Sequence, residues 1–447
     1  ITMDYQPPEP RVADQELYDN IYLPTKSMRA FDNLRDPIVN IVDYPCGFGK
    51  TNVLLSILND HHDLKVLVVV QTLSEVDRII KSLPKGRIFS PEKANSRYNS
   101  KGEQLEHLVR KSVSVVITHS LYERAGMLAY DGGFRNYHVI IDEVPNAVSV
   151  LENQLYPENF KEFYIDNGYF KLENTGLILP TEKVLEEEDR LKNALDETLI
   201  NNIKSGRVYF DGNKNFIKTI PTSLFTETDT LTVLTFLSKG TLFLKFLKKY
   251  EIKYKVTKSA TMNKTFRQLA AKNLSIKTIK AINNIGLGYA KQTTYPIKSK
   301  EVKSIRTALK NLKQRTLKNV AIEKVIITCA KKNWYKKTKG GYDLTKPGIF
   351  STDSRMFKGA NWIPNTTRGT NNYSHCSHAI YLYEQNVNPI LLNWLNANNK
   401  QFKTEFALTE MIQWIWRTRI RNGEPVDVYM PSGRMREIIA DWISEYI

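Results

Sequence analysis

The sequence contains few cysteines and no long hydrophobic run. Its 447 residues include three cysteines, Cys46, Cys329 and Cys376, and so sparse and odd a set argues against a disulfide framework. We therefore expect a reducing, intracellular compartment. No run of about 18 apolar residues is present, so no membrane span is predicted. Internal repeats are also lacking, and the length suffices for two or three domains with separate cores.

Acidic residues are too few to balance the basic ones. The chain has 64 Lys and Arg residues against 47 Asp and Glu residues, which gives a formal net charge of +17. Lysines are especially frequent between positions 240 and 340. Because a soluble protein with this excess commonly has a polyanionic partner, the composition favours nucleic acid as the partner. The alternative is a basic surface that serves only solubility. No membrane partner is expected, because the sequence lacks a long apolar run.

A phosphate-binding loop is predicted at residues 44–51, YPCGFGKT. The apolar run 38–42 precedes it and the helix-like run 52–58 follows, so the loop joins a strand to a helix. Backbone N–H groups at the start of a helix lack intrahelical partners and can face a polyphosphate. Five residues are therefore predicted to bind a nucleoside triphosphate: Gly47, Phe48, Gly49, Lys50 and Thr51.

Within this loop, Lys50 is expected to reach the β- and γ-phosphates and Thr51 to help hold Mg²⁺. Tyr44 stands where the common G-x-x-x-x-G-K-[ST] pattern has its first glycine. Gly47 and Gly49 remain, as in the variant loop of translocating NTPases. The alternative is an ordinary strand–turn–helix that carries Gly-Lys-Thr by chance.

Two carboxylates, Asp142 and Glu143, follow the apolar run 137–141. A strand that delivers carboxylates to the mouth of a sheet supplies the partner that a phosphate loop needs. We expect Asp142 to bind Mg²⁺, directly or through water, and Glu143 to orient and deprotonate the attacking water. The alternative is a surface Asp-Glu pair at the end of a strand.

The hydrophobic pattern predicts an α/β protein with two αβ series. Short, continuous apolar runs at 66–70, 113–117 and 137–141, separated by helical segments, are typical of a parallel sheet covered on both faces. A second series supplies strands at 324–328 and 378–383. Two such series that flank a lysine-rich middle favour two lobes with a cleft between them.

Both site segments resemble motifs of superfamily 2, the DExx-box helicases and translocases. The loop resembles the family's first motif, and DEVP at 142–145 looks like its second. Further segments follow in the family's order: VVVQTL at 68–73, VITHS at 116–120, SAT at 259–261, RGTN at 368–371 and QWIWRTRIR at 413–421. The resemblance covers most of residues 25–145 and 255–435. It implies two tandem RecA-like lobes with ATP and Mg²⁺ between them and nucleic acid across both.

The resemblance also implies a role for each matching residue. Contacts to nucleic acid are expected from Thr72, Thr118, His119 and Arg368. Coupling of ATP hydrolysis to domain movement is expected from Ser259, Thr261, Gly369 and Asn371. Catalytic contributions beside those of Lys50 and Glu143 are expected from Gln413, Arg417 and Arg421.

The segment that resembles the sixth motif departs from the family's pattern, because Trp416 and Arg419 replace its glycines. If the segment is helical, Gln413, Arg417 and Arg421 recur at i, i+4 and i+8 on one face. That face would bring Arg417 and Arg421 to the γ-phosphate as arginine fingers. Which of Arg417, Arg419 and Arg421 acts in this way stays open, and the alternative is the basic surface of an amphipathic helix.

The predicted domain order is a first lobe at 1–149, an accessory insertion at 150–250, the completion of the first lobe at 251–290 and a second lobe at 291–447. The pattern changes near position 150, where a helix at 181–205 precedes a β-hairpin.

The gap from Glu143 to Ser259 is longer than the family's usual connection. Either the intervening residues form an accessory α+β region, or the Ser-Ala-Thr match is a coincidence.

The predicted function is therefore that of an ATP-dependent helicase or translocase, with DNA favoured over RNA. One alternative is a translocase that remodels branched DNA without processive unwinding, and another is a packaging-type motor ATPase. A third is a nucleic-acid-binding protein whose loop no longer supports catalysis. The compact length and gapped motifs resemble those of a viral or bacteriophage enzyme.

Overall fold

The computed structural model describes residues 15–22, 38–92, 98–151, 157–212, 215–228, 230–351, 357–367 and 372–445. The strands in these ranges are β1 Val39–Asp43, β2 Val66–Val70, β3 Val115–Thr118, β4 His138–Asp142, β5 Val148–Leu151, β6 Phe170–Leu172, β7 Ile178–Pro180, β8 Val208–Phe210, β9 Phe216–Thr219, β10 Thr230–Thr235, β11 Tyr254–Thr257, β12 Leu274–Lys277, β13 Val325–Thr328, β14 Tyr335–Thr338, β15 Gly341–Pro347, β16 Asn361–Trp362, β17 His378–Tyr381 and β18 Val426–Tyr429.

After the helical residues 15–22, the α-helices are α1 Lys50–Asp60, α2 Leu73–Lys81, α3 Lys101–Arg110, α4 His119–Tyr122, α5 Gly126–Tyr130, α6 Pro157–Phe160, α7 Glu182–Glu186, α8 Glu188–Lys192, α9 Glu197–Lys204, α10 Ser223–Thr226, α11 Leu242–Lys249, α12 Ala260–Asn273, α13 Tyr289–Thr294, α14 Lys300–Asn311, α15 Lys331–Trp334, α16 Pro389–Trp394, α17 Lys400–Ile415 and α18 Gly433–Ser444. Within the described part of the chain, no helix combines the length and apolar character needed to cross a membrane.

The first lobe is built on a six-stranded parallel sheet with the order β11-β1-β10-β4-β2-β3. Strands such as β2, with the sequence VLVVV, are buried at every position because helices cover both faces of the sheet. The strand β10 lies between β1 and β4, although more than 80 residues separate it from β4 in the chain. The carboxyl ends of these strands share one edge, which is where parallel sheets place their ligand sites.

The second lobe is built on a five-stranded parallel sheet with the order β12-β18-β17-β13-β16. Two parallel sheets in tandem confirm the predicted α/β class with two RecA-like lobes. The predicted completion of the first lobe at 251–290 needs correction, because β12 already pairs in the second sheet. The chain passes from one sheet to the other through α12.

The accessory region spans residues 148–219 and has its own antiparallel pairs, β5-β9-β8 and β6-β7. Its aromatic and aliphatic side chains form a separate buried cluster around Phe160 and Phe170. The predicted insertion 150–250 therefore ends too late, since β10 within that range is buried at all six positions in the first sheet. The hairpin predicted in this region is present as β8 and β9.

The helix predicted at 181–205 is wrong, because three short helices, α7, α8 and α9, occupy this range. Asp196 has a non-helical ψ angle of 122°, and its carboxylate accepts a hydrogen bond of 2.7 Å from the N–H of Thr198. An N-cap starts a new helix at this point, so the periodic apolar pattern does not continue through one helix.

One segment of the chain joins the lobes and the accessory region. Residues from Val387 to Phe402, which follow β17, bury Leu391 and Leu392 in the hydrophobic core of the first lobe. The ring of Trp394 lies 5.3 Å from that of Tyr209 in the accessory region. The three parts of the molecule therefore share buried apolar surface.

Candidate active site

The loop between β1 and α1 turns sharply at two glycines. Gly47 and Gly49 have φ angles of +83° and +78°, in the left-handed region that other residues rarely adopt. Gly49 is the N-cap of α1, so the first N–H groups of this 11-residue helix face the loop. The predicted strand, loop and helix are all present, with β1 and α1 bounded at Val39–Asp43 and Lys50–Asp60.

Tyr44, in the place of the missing glycine, has a structural role. Its ring is fully buried, and its hydroxyl donates to Glu16 over 3.1 Å and accepts from the amide of Asn20 over 2.7 Å. Burial and the charge of Glu16 raise the pKa of Tyr44 to about 12. The side chain therefore fixes the helical residues 15–22 against the base of the loop.

Lys50 lies beneath the loop with only 8% of its surface exposed. Its ammonium group donates to the carbonyl of Tyr44 over 2.7 Å and to that of Pro45 over 3.3 Å. Carbonyl partners offset the cost of burying the charge. These contacts hold the side chain along the inner side of the loop, as its predicted role requires.

Asp142 ends β4 directly opposite the start of α1. The Thr51 hydroxyl donates to its carboxylate over 3.0 Å, and a ring nitrogen of His119 lies 3.0 Å from its carbonyl oxygen. Burial and the neighbouring Glu143 raise the pKa of Asp142. Two predicted Mg²⁺ ligands, Thr51 and Asp142, thus come from distant parts of the chain to one point.

Glu143 follows with a φ of +69°, an uncommon conformation for a residue with a side chain. Its N–H donates to the carbonyl of Leu234 over 2.8 Å, and Thr235 at the end of β10 lies 3.5 Å from its carboxylate. The backbone turn directs the carboxylate away from the line of β4. Backbone strain of this kind, at a residue on the edge of a sheet, is typical of functional sites.

The predicted helix over 413–421 is wrong, because α17 ends at Ile415. Thr418 has extended backbone angles and caps a short 3₁₀ turn, Arg419–Asn422. Gln413, Arg417 and Arg421 therefore do not share one helical face. Gln413 is instead buried, and its amide donates to the carbonyl of Phe236 in the first lobe over 3.1 Å.

Arg417 and Arg421 nevertheless both reach the cleft between the lobes, by way of the turn and not of a helix face. Burial and the charge of Arg417 lower the pKa of Arg421. Arg419 points elsewhere: its guanidinium donates to the carbonyl of Pro425 over 2.7 Å and lies 3.7 Å from Glu424. Of the three arginines, Arg417 and Arg421 line the cleft and Arg419 does not.

The cleft has a volume of about 200 Å³ and brings together residues of both lobes. Its lining includes most of the predicted nucleotide site, Gly47, Gly49, Lys50, Thr51, Asp142, Glu143, Arg417 and Arg421. Phe48 is not part of this lining; its ring lies 6.2 Å from that of Phe266 and packs against the apolar cores.

Six further lining residues were not predicted as site residues from the sequence: Cys46, Asn52, Gln71, Glu75, Arg78 and Trp416. Glu75 forms a capping box with Thr72, in which each residue accepts a hydrogen bond from the other's N–H, at 3.2 and 3.3 Å. The pattern Thr-x-x-Glu at 72–75 is a sequence signal for this helix start. It would have placed Glu75 and, one turn later, Arg78 on the face of α2 that meets the loop.

Arg78 is the least expected of these residues. Its Nε atom is buried and has no hydrogen-bond partner among the residues that the structure describes. Arg78 lines the cleft together with Asp142 of the first lobe and Arg421 of the second.

Two of the residues predicted to couple the lobes, Ser259 and Thr261, do not line the cleft. Ser259 caps α12 and donates to Glu16 over 3.0 Å, and Thr261 is exposed in the first turn of that helix. Both follow the edge strand β11. Gly369 and Asn371 lie outside the described residues, as does Arg368 from the predicted nucleic-acid set.

Segment 235–238 at the end of β10 contacts both lobes close to the cleft. Beside the contact of Thr235 with Glu143, the N–H groups of Leu237 and Ser238 donate to Asp43 over 2.7 and 3.0 Å. Thr409 on α17 donates to the carbonyl of Leu237 over 3.1 Å. One short segment thus contacts the Glu143 carboxylate, the end of β1 and the second lobe.

The three remaining predicted nucleic-acid residues lie at the ends of neighbouring strands. Thr72 follows β2 and is exposed as the N-cap of α2. Thr118 ends β3, and His119 begins α4 with its ring against the backbone of Asp142. The structure therefore groups them at one sheet edge, and their contacts with nucleic acid stay a prediction.

Comparisons with known proteins identify relatives of this chain. The profile of the YonV C-terminal Rossmann-like domain matches residues 249–443. The SPbeta prophage-derived uncharacterized protein YonV of Bacillus subtilis (strain 168) is 24% identical over 432 residues, covering 91% of this chain and 98% of that protein.

Solved structures with a similar fold include XPD in its apo form, with a TM-score of 0.50 and 13% identity over 96% of this chain and 98% of that one. The structure of S. tokodaii Xpd4 has a TM-score of 0.43 and 13% identity over 96% and 97% of the two chains. The similarity to XPD supports the fold of two tandem RecA-like lobes.

Proposed function

We propose that this chain is an ATP-dependent nucleic-acid translocase of the helicase type, which hydrolyses ATP between its two lobes. One observation carries the proposal. The cleft combines a phosphate loop and two carboxylates of the first lobe with two arginines of the second. A site that is complete only when two lobes meet can convert nucleotide turnover into relative movement.

The residues present fit a magnesium–nucleotide complex. The hydroxyl of Thr51 and the carboxylate of Asp142 lie 3.0 Å apart, and oxygen donors of these kinds are the ligands that Mg²⁺ prefers. When bound, Mg²⁺ would neutralise charge on the phosphate oxygens. The N–H groups at the start of α1 and the ammonium of Lys50 would bind the phosphates themselves.

Glu143 is the proposed general base. Its carboxylate would orient the attacking water and accept a proton from it, while Thr235 holds the carboxylate in position. Arg417 and Arg421 would stabilise the negative charge that develops on the transferred phosphoryl group. Because these arginines belong to the other lobe, the site is fully assembled only in the closed arrangement.

The movement would be transmitted through segment 235–238. Gln413 and Thr409 on α17 both donate to carbonyls of this segment, which also contacts Glu143. We propose that these contacts, and not Ser259 or Thr261, link the state of the catalytic carboxylate to the position of the second lobe.

The proposed partner is nucleic acid, with DNA favoured over RNA. A net charge of +17 supports a polyanionic partner, since phosphate contacts supply most of the affinity in sequence-independent binding. Thr72 and Thr118 at the edge of the first sheet, with Arg368 of the second lobe, are proposed to contact the backbone. The relationship to a prophage protein supports a bacteriophage origin.

The proposal is tested by the rate of ATP hydrolysis without polymer and with single-stranded DNA, duplex DNA, a fork or RNA. We expect one or more of these polymers to stimulate turnover, and a rate that none of them changes would overturn the translocase assignment. Fork unwinding, compared with movement along a single strand, then distinguishes a helicase from a translocase that remodels branched DNA.

A further inference from the structure

A basic β-hairpin projects from the second lobe. Within the described part of the chain, strands β14 and β15 pair only with each other, and the residues from Lys336 to Gly340 are exposed. Between positions 331 and 347 the chain carries six lysines and one acidic residue, Asp343. An isolated two-stranded ribbon buries little apolar surface, so packing alone gives no reason for its composition.

The two faces of the hairpin differ in chemistry. Lys337 is directly opposite Tyr342, and Lys336 is opposite Asp343. Because opposed residues in an antiparallel pair share a face and neighbours alternate, Lys337 and Tyr342 lie on one face and Lys336 and Asp343 on the other. Leu344, which follows Asp343, is exposed.

The face that carries Lys337 and Tyr342 continues onto the body of the second lobe. The ammonium of Lys331 lies 5.1 Å from the ring centre of Tyr342 and 5.8 Å from that of Trp362. Tyr335 meets Trp362 edge to face at 5.5 Å. Lysines and aromatic rings thus alternate over one surface, which we call the lysine–aromatic face: Lys331, Tyr335, Lys337, Tyr342 and Trp362.

On the opposite face, the carboxylate of Asp343 is bonded to other residues of the hairpin. Asp343 accepts hydrogen bonds from the N–H and the hydroxyl of Thr345 at 3.0 and 2.6 Å, and lies 3.3 Å from Lys346. These bonds hold the pKa of the Asp343 carboxyl below its ordinary value. The acidic residue of the hairpin is therefore directed away from the lysine–aromatic face.

The hairpin follows the carboxyl ends of the strands of the second sheet, and the nucleotide cleft lies toward their amino ends. It follows the carboxyl end of β13, and Trp362 stands at the carboxyl end of the neighbouring β16. Arg417 and Arg421, in contrast, precede the amino end of β18 in the same parallel sheet. A polymer bound at the hairpin would therefore not compete with ATP for the cleft.

We propose that the lysine–aromatic face binds single-stranded nucleic acid, with bases stacked on the aromatic rings and phosphates paired with the lysines. Stacking platforms combined with cationic side chains are how proteins bind single strands without reading sequence. The proposal rests on the proposed translocase function and specifies which surface of the second lobe holds the strand.

The test compares two lysines on one strand, Lys337 on the lysine–aromatic face and Lys336 on the other. Both are exposed, and K337E and K336E change the net charge equally. The Kd for fluorescent oligothymidylate and oligouridylate is measured for each variant and for Y342A, beside basal ATP hydrolysis and thermal unfolding. We expect K337E and Y342A to raise Kd about tenfold, K336E less than about twofold, and basal hydrolysis to stay unchanged.

If K337E and K336E lose the same affinity for the oligonucleotides, or if neither loses any, the proposed face is overturned and the translocase function stays intact. A selective loss of duplex binding, with single-strand binding unchanged, would overturn it as well. If the unaltered protein binds neither oligonucleotide and its hydrolysis responds to no polymer, the translocase function itself fails.

Discussion

Four cationic side chains surround the cleft, and three of them have clear origins in the chain's motifs. Lys50 belongs to the phosphate loop, and Arg417 and Arg421 belong to the turn after α17. The fourth, Arg78, comes from the surface helix α2 and keeps a buried Nε atom without a hydrogen-bond partner among the described residues. An anion that enters the cleft can accept a hydrogen bond from this buried donor and so remove the free-energy cost of leaving it unpaired.

We therefore expect R78Q to weaken ATP binding. A charge-assisted hydrogen bond contributes about 1.5–3 kcal/mol, so the Kd for ATP should rise by roughly 10- to 100-fold. Lys81 lies one turn further on the same helix and is exposed, so K81Q is the matched control and should bind normally. Titration with a fluorescent ATP analogue measures both variants. Unaltered affinity in R78Q would show that the guanidinium does not contact the nucleotide.

Glu143 allows binding and chemistry to be separated. E143Q keeps the size of the side chain and loses the group that accepts the proton, so turnover should fall by about 10²- to 10⁴-fold. Nucleotide affinity should change little, because we propose that Lys50 and the start of α1 bind the phosphates. Steady-state hydrolysis, measured with analogue binding, provides the check. Normal turnover in E143Q would show that Glu143 is not the general base, whereas no turnover in the unaltered protein would favour a nucleic-acid-binding protein whose loop is not catalytic.

At the scale of elements, α17 and the segment at the end of β10 form a polar link between the lobes near the site. Gln413 and Thr409 donate to carbonyls in segment 235–238, and Gln413 is almost fully buried. Removing a buried donor leaves its acceptor unpaired at a cost of about 1–3 kcal/mol. The link is therefore both stabilising and positioned to transmit movement.

The variant Q413L tests this link. We expect basal hydrolysis to persist, stimulation by nucleic acid to be largely lost, and the free energy of unfolding to fall by about 1–3 kcal/mol. Gln401, exposed near the start of the same helix, supplies the control Q401L. The ratio of stimulated to basal hydrolysis is the decisive measurement. A normal ratio in Q413L, with the expected loss of stability, would restrict the residue to a structural role.

The same elements show what the sequence could and could not predict. The loop 44–51 and the pair Asp142–Glu143 were predictable because each depends on local order: a strand, a turn and a helix. The strand β10 was missed, since its place between β1 and β4 depends on pairing with segments far away in the chain.

The arginines show a different limit of sequence reasoning. Helical spacing predicted one face for Gln413, Arg417 and Arg421, but the extended backbone of Thr418 interrupts the helix. The two arginines reach the cleft only because the turn after α17 lies against Gly47, where an added Cβ would stand 3.8 Å from Arg421. Residue spacing within one segment cannot predict this contact between two lobes.

At the scale of the molecule, the two lobes and the accessory region are not independent bodies. Residues that follow β17 bury Leu391 and Leu392 in the core of the first lobe, and Trp394 packs beside Tyr209 and under Lys249. The ring centre of Trp394 lies 4.3 Å from the Lys249 ammonium. This arrangement anchors the second lobe on the first at a point distinct from the nucleotide cleft, so closure would take place around a fixed contact.

Truncation of this anchor should destabilise the whole molecule. Leu392 is 3% exposed, and L392A should lower the free energy of unfolding by about 2–5 kcal/mol. Because the side chain belongs to one lobe in sequence and fills the core of the other, both should unfold earlier in urea, by fluorescence and by circular dichroism alike. L344A removes an exposed leucine and should leave the transition unchanged. A variant in which only one of two separate transitions shifts would mean that the lobes unfold independently and that the anchor does not unite them.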